Sequence, residues 1–398
     1  MKNVVIAVAA ATLIKAVLSF ELELTSVESY LWMCSRHPAL GYFDYPGMAP
    51  WMIALSTSVF GESVLGVRAL FLAAGALTAL FLFLAARRLY GERAAEIAGQ
   101  WGAWLPLFFA FGAWATPDSP LLLFWSATLW ALAHALSGGS PRWWYPAGLF
   151  LGLALDSKYH AVFLGAGVAA FLAFSPDHRA WLRRKEPYLA ALLALAAFLP
   201  TLIWNAQHGW QSFLYQGVGR FGERSFRASE LLSFPASQLL LMTPFVCIGA
   251  WGLGFKTLAR WKEASWQGRF LAAAGMPQLL FFTAVLFTRT VRGHWTAPAY
   301  ASLAILFAAA VARGGMWMRR LHQGTVGMLV ALLIPGALML PFVPREWRTG
   351  WEQLAVEVSK LKPDFVVGRE YHLASQMGYQ LRPLPAVEYT AVGQPSKA

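Results

Sequence analysis

Apolar runs recur along most of this chain, and each is long enough to cross about 30 Å of hydrocarbon as a helix. In lipid the backbone must satisfy its own hydrogen bonds, so such runs fold as helices packed side by side. Read run by run, the sequence gives about eleven spans. They lie near residues 3–20, 63–86, 94–114, 118–137, 143–156, 159–174, 187–204, 234–255, 270–288, 296–312 and 325–343. The fifth and sixth are short and meet at DSKYH. Composition agrees. Only 13% of the 398 residues are charged, against about a quarter in soluble domains, too few to coat an aqueous surface. The expected fold is an all-α polytopic membrane bundle over residues 1–343, with a small C-terminal α/β appendage over 344–398, where PDFVVGREYHLASQMGYQL reads as a strand and then a short helix. MKNVVIAVAAATLIKAVLSF lacks a small-residue cleavage site and is read as a retained first span.

Charge then orients the bundle. Arg87, Arg88 and Arg93 follow the second span, and Arg142 follows the fourth. Arg179, Arg183, Arg184 and Lys185 follow the sixth, Lys256, Arg260, Lys262 and Arg269 the eighth, and Arg313, Arg319 and Arg320 the tenth. The positive-inside rule puts these ends in the cytoplasm, the N-terminus with them, and the C-terminal segment outside. The net charge of +12 is what cytoplasmic loops and anionic lipid require, and is not read as nucleic-acid binding. Cys34 and Cys247 have neither metal-site nor disulfide spacing. The outer face is left with the longer, more aromatic connections. These are a first loop over 21–62, the turns ATPDSP and DSKYH, a loop over 205–233, the segment RTVRGHW and the C-terminal segment.

Acids at the mouth of a bundle are costly unless paired or functional. Glu28 in LTSVESYLWM, Asp44 in YFDYP and Asp118 in ATPDSPLLLFW all fall on that face. Each also has a plainer reading. Asp118 fits a helix cap, Asp44 a turn, and Glu28 a pair with a loop arginine. Basic residues join them: Lys158, Arg220, Arg224, Arg227, Arg289, Arg292 and His294. Arginine on an outer face either snorkels to headgroups or grips a phosphate bidentately.

In this order and spacing, ESYLWMCSRHPALGYFDYPGMAPW, FGESVLGVRAL, ATPDSPLLLFW, LGLALDSKYHAVFL, LPTLIWNAQHGWQSF, GHWTAPAY and VVGREYHLASQMGY resemble bacterial members of glycosyltransferase family 39. These are dolichyl-phosphate-mannose protein mannosyltransferase-like enzymes of the GT-C fold, relatives of the lipid A aminoarabinose transferases. The resemblance implies transfer of a sugar from a polyprenyl phosphate, with inversion, to an acceptor lipid, glycan or protein at the periplasmic face of the bacterial inner membrane. It implies an acid in the first outer loop as base, basic residues on the departing phosphate and sometimes a divalent metal ion. Asp118, Lys158, Asn205, His208 and His294 match the family as they stand. Two positions depart from it: Val27 stands where the family has the aspartate taken as base, and Tyr45 replaces a histidine. Glu28 is therefore the expected base, with Asp44 and Asp118 beside it. Lys158, Arg220, Arg224 and Arg292 are the expected phosphate ligands, Tyr42, Tyr45, Tyr159, Asn205 and Trp295 the cavity lining, and His208 and His294 the candidate metal ligands. The alternatives are a non-catalytic polyprenyl-phosphate-binding accessory protein, suggested by Val27, and a transporter.

Overall fold

The computed structural model describes residues 1–217, 219, 229–339 and 350–388. Arg220, Arg224 and Arg227 lie outside the described residues. The chain forms α1 (Lys2–Glu21), α2 (Ser26–Arg36), α3 (Met48–Phe60), α4 (Val64–Tyr90), α5 (Glu92–Trp104), α6 (Pro106–Phe111), α7 (Asp118–Leu136) and α8 (Trp144–Ser157). There follow α9 (Val162–Phe174), α10 (Lys185–Gln207), α11 (Gln211–Gly217), α12 (Glu230–Ala259), α13 (Trp266–Leu286), α14 (Ala297–Arg313) and α15 (Met316–Met339). Among the described residues, seven helical segments are long and apolar enough to cross a membrane: Lys2–Glu21, Val64–Tyr90, Asp118–Leu136, Lys185–Gln207, Glu230–Ala259, Trp266–Leu286 and Gly293–Arg313. The architecture is the expected polytopic helical bundle.

Of the remaining expected spans, the third is interrupted and the fifth and sixth are short, while the eleventh falls in α15 up to Met339, its expected residues 340–343 lying outside the described residues. The third breaks at Leu105, whose ψ of 136° leaves the helical region, because Pro106 disfavours α geometry in the residue before it. The fifth, α8, has 14 residues and is about 21 Å long, and the chain turns away from it at Lys158. Helices α2, α3 and α11 lie on the outer-loop segments.

Packing follows the small residues. A Cβ added at Gly148 or Gly152 of α8 would collide with the carbonyl oxygens of Ala190 or Ala194 on α10, and one at Gly167 of α9 with that of Ala273 on α13. Backbones that approach this closely gain dispersion and exclude lipid. The centre holds Trp101, Trp125, Phe270, Tyr300 and Phe307, all fully buried, with Trp125 Nε1 donating to Ser302 Oγ at 2.9 Å. Outward, Val162, Phe174, Leu192 and Leu195 are exposed, an apolar rim suited to hydrocarbon rather than water.

The C-terminal segment is a helix, Gly350–Lys360, then β1 (Val366–Gly368), a helix at Tyr371–Gln380 and β2 (Ala386–Glu388). The strands pair in parallel with Val366 opposite Ala386. The connecting helix sits on α2: Gln376 Nε2 donates to the Leu24 carbonyl at 2.8 Å, and Tyr371 and Tyr379 pack edge-on against Tyr30 and Trp32. The appendage therefore braces the first outer loop. Replacing Gly148 by Leu is expected to cost about 1–3 kcal/mol through overpacking, read as a lowered Tm in detergent; an unchanged Tm contradicts the close α8–α10 approach.

Candidate functional site

Glu28 is the third residue of α2, and its position follows from a capping box. Thr25 Oγ1 accepts from the Glu28 amide at 3.3 Å, and Glu28 Oε2 accepts from the Thr25 amide at 2.8 Å. The same carboxylate takes Arg68 Nε and Nη2 of α4, both at 2.7 Å, and the Ala115 amide at 2.9 Å. Each oxygen thus accepts two bonds, which uses the roughly four acceptor sites of a carboxylate. Glu28 and Arg68 are buried. Arg68 completes its own donors on the Leu22 and Glu23 carbonyls, at 3.0 and 2.9 Å. The expectation that Glu28 acts as base is corrected here: with its lone pairs taken and no exposed surface, it is a structural anchor.

The loop between α2 and α3 is a narrow hairpin. Gly41 bridges Pro46, and the Tyr42 amide donates to the Tyr45 carbonyl at 3.0 Å. Trp51 Nε1 holds the Ala39 carbonyl at 2.8 Å. Tyr42 was expected in the cavity, but its hydroxyl meets the Cys34 and His37 carbonyls at 2.9 and 3.1 Å, so it fastens the loop instead. Asp44 sits at the hairpin tip, 5% exposed, and its carbonyl accepts from Gln216 Nε2 of α11. Burial, with the nearby Asp44 charge acting in the same direction, pushes the Cys34 thiol up to about 12, leaving it protonated and a poor nucleophile.

Asp44, Tyr45 and Pro46 form one wall of a cavity of about 170 Å³. Lys158, Tyr159, Gln216, Phe281, Phe282 and Trp295 line it as well. Lys158 Nζ donates to both oxygens of Asp118, at 2.8 and 2.9 Å, and both residues are buried. Asp118 opens α7 without making a side-chain cap; its carboxylate is spent on the lysine. A buried pair of this kind holds its members in place more than it stabilises the fold. Two rims of the cavity, Val162 and Phe281, are 57% and 43% exposed, so its mouth opens onto the apolar outer surface of the bundle. An anionic head and a hydrocarbon tail would both find matching surroundings there.

The other expected residues fall into three groups. Tyr45, Tyr159 and Trp295 line the cavity. Asn205 lies beneath it, fully buried, with Oδ1 accepting from the Phe213 amide at 3.2 Å and Nδ2 reaching Tyr159 Oη at 3.5 Å; it positions Tyr159, whose hydroxyl also meets Ser212 Oγ at 2.7 Å. Arg292 is exposed at the start of the turn carrying Trp295 and is not part of the lining. His208 stacks on Trp204, with Nδ1 2.7 Å from the Trp204 carbonyl, while His294 lies against Phe111. Among the described residues, no three His, Cys, Asp or Glu side chains are grouped to hold a metal ion. His208 and His294 belong to no such group among the described residues.

Sequence reasoning missed Arg68, Gln216, His160 and the phenylalanine wall. A lone arginine near the start of an apolar helix was the available signal for Arg68, since an intramembrane charge needs a partner. Two glutamines were also missed. Gln238 Nε2 donates to the Gly293 carbonyl at 2.8 Å and Gln278 Nε2 to the Trp295 carbonyl at 2.7 Å, and together they clamp the turn that presents Trp295.

Residues 44–204 match the family model described as dolichyl-phosphate-mannose-protein mannosyltransferase. The lipid A galacturonosyltransferase RgtD of Rhizobium johnstonii is 26% identical over 79% of this chain and 66% of its own length. The undecaprenyl phosphate-α-4-amino-4-deoxy-L-arabinose arabinosyl transferase of Pseudomonas aeruginosa is 35% identical over 44% of this chain and 32% of its own. The chain thus spans just under two thirds of the first relative and about a third of the second. In fold it is similar to ArnT of Cupriavidus metallidurans, solved with undecaprenyl phosphate bound: TM-score 0.67, 17% identity, covering 95% of this chain and 74% of that one. The archaeal oligosaccharyltransferase AglB of Archaeoglobus fulgidus follows with a TM-score of 0.53, 11% identity and coverage of 96% and 64%. The chain is thus similar in sequence to lipid A sugar transferases over part of its length, and similar in fold to ArnT and AglB.

Replacing Arg68 by Met is expected to destabilise the protein by about 3–5 kcal/mol, because it strands a buried carboxylate. Adding Glu28→Leu in the same chain should recover much of that loss. Denaturation in detergent checks both, and equal stability of the single variant and wild type contradicts the anchor.

Proposed function

We propose that this chain is a membrane glycosyltransferase that moves a sugar from a polyprenyl phosphate to an acceptor hydroxyl or phosphate on a lipid, glycan or protein. The observation that carries this reading is one cavity, lined by Asp44 and by an Asp118-held Lys158, that opens onto the apolar flank of the bundle. The tail of a polyprenyl phosphate would lie along that flank, with its phosphate at Lys158. The matched relatives named for undecaprenyl-phosphate-linked sugars support the same donor class.

In this mechanism Asp44 takes the proton of the acceptor hydroxyl. The acceptor oxygen bonds to the anomeric carbon from the face opposite the phosphate. The bond from anomeric carbon to phosphate oxygen breaks, and polyprenyl phosphate leaves with the electron pair. Inversion follows from that geometry. The Lys158 ammonium offsets the charge gained by the phosphate, in a site with few water molecules, where such stabilisation is largest. Asp118 acts through Lys158 by fixing it. Tyr159, Trp295 and Tyr45 offer ring faces to the sugar. Arg292, at the start of the turn that carries Trp295, is a further candidate for the phosphate, as are Arg220 and Arg224, which lie outside the described residues. No step is routed through a metal ion, since the described residues do not gather donors for one.

The arginine-rich helix ends support an orientation with the N-terminus in the cytoplasm and the cavity facing the periplasm or exterior. A bacterial inner membrane is the matching location.

One observation favours a second reading. Val27 occupies the family's aspartate position and packs against the cluster of Leu24, Tyr30 and Trp32 rather than lining the cavity. A protein that binds polyprenyl phosphate without turning over a sugar would tolerate that change. Asp44→Asn tests the first reading. Release of undecaprenyl phosphate from a lipid-linked sugar by purified protein should fall by about 10²–10⁴-fold, the usual contribution of a general base, with Tm unchanged. Wild-type rates in the variant overturn the assignment of Asp44. Tight binding without release in the wild type, cured by Val27→Asp, establishes the second reading.

A further inference from the structure

A second polar cavity lies at the far end of the bundle. It has a volume of about 420 Å³ and sits where the end of α12, the start of α13 and the end of α14 meet. Lys256, Arg260 and Arg313 line it, with Glu263 as the one acidic residue. Glu263 lies 3.8 Å from Arg260, both largely exposed, so that pair is loose and weak. Among the described residues, neither Lys256 nor Arg313 pairs with an acid. Arg313 instead packs over the Tyr90 ring at 5.5 Å, which fixes its guanidinium without neutralising it.

The floor of this cavity is the start of α13. Ser265 caps it, Oγ accepting from the Gly268 amide at 3.3 Å, and the positive end of the helix dipole points into the space. The upper wall is apolar: Leu253, Leu306 and Ala310. Immediately before Lys256 on α12, Phe255 is 48% exposed. A lining that joins these cations to Leu253, Leu306 and Ala310 matches a molecule with an anionic head and an acyl chain. A soluble polyanion would leave the apolar wall unused.

This cavity is separate from the one holding Asp44. Gly268 lines the first and Phe282 the second, fourteen residues apart on one helix, or about 21 Å. It therefore opens toward the opposite leaflet.

We propose that the Lys256–Arg260–Arg313 cavity binds the phosphodiester headgroup of an anionic phospholipid from the leaflet opposite the Asp44 cavity. Free inorganic phosphate presents the same charged oxygens, so the test separates the two sources. Native mass spectrometry of the purified full chain is titrated with phosphatidylglycerol, with phosphatidylcholine and with inorganic phosphate. Phosphatidylglycerol should bind at least about tenfold tighter than phosphatidylcholine, since each basic side chain near an anionic headgroup contributes several-fold. Lys256→Gln with Arg313→Gln should abolish that preference, and Arg260→Glu alone should reduce it. Arg319→Gln with Arg320→Gln, basic residues outside the cavity, should leave it intact. Tm in phosphatidylcholine reports whether each variant folds. Equal preference in the wild type and in either cavity variant overturns the site. Displacement of phosphatidylglycerol by millimolar inorganic phosphate overturns the lipid assignment.

Discussion

The carboxylate of Glu28 accepts four hydrogen bonds at the point where α2, α4 and the turn before α7 converge. The end of the bundle that carries the Asp44 cavity depends on that junction. Arg68 reaches from α4 to the carbonyls that end the first span, so one guanidinium ties α1, α2 and α4 together. The Ala115 amide brings in the segment that delivers Asp118 three residues later. A buried ion pair adds little net stability against an apolar alternative, but it is intolerant of displacement, because any shift leaves a desolvated charge unpaired. It serves as a positional reference, and the appendage helix at Tyr371–Gln380 presses on α2 from the other side.

From that reference the cavity is assembled out of distant segments. The hairpin places Asp44, the break between α8 and α9 places Lys158, and α7 supplies the carboxylate that holds it. Asn205 and Ser212 fix Tyr159, while Gln238 and Gln278 fix the turn bearing Trp295. Lys158, Tyr159 and the turn bearing Trp295 are each braced by a residue that does not itself line the cavity, the arrangement that holds reacting groups in register. The wall left over is phenylalanine and faces the hydrocarbon side, which suits a donor that arrives through lipid.

Whereas the reading of eleven spans meets seven helical segments of spanning length among the described residues, the helical character of the apolar runs, the interruption at DSKYH and the strand-then-helix tail were legible in the sequence. They depend on local hydropathy and turn chemistry, which neighbouring residues record. Asp44, Lys158, Tyr159 and Trp295 were also found, as polar or aromatic residues at turns between spans. Glu28 was misassigned because its partner stands 40 residues away, and nothing local says whether a carboxylate at a helix start faces a cavity or an arginine. The plainer reading, a pair with an arginine, was correct in kind, although that arginine is on α4 rather than on a loop. Tyr42 was misplaced for the same reason: the sequence shows a side chain that could reach a ligand, and tertiary packing turns it onto the Cys34 and His37 carbonyls instead.

The most direct test is a structure of the full chain in nanodiscs with undecaprenyl phosphate. The account predicts phosphate oxygens at about 2.7–2.9 Å from Lys158 Nζ, the isoprenoid chain leaving past Phe281 and Val162, and Asp44 facing the phosphate across an open space the size of a sugar. A phosphate bound elsewhere, with Lys158 still enclosed by Asp118 and the Asp44 cavity empty, would contradict it.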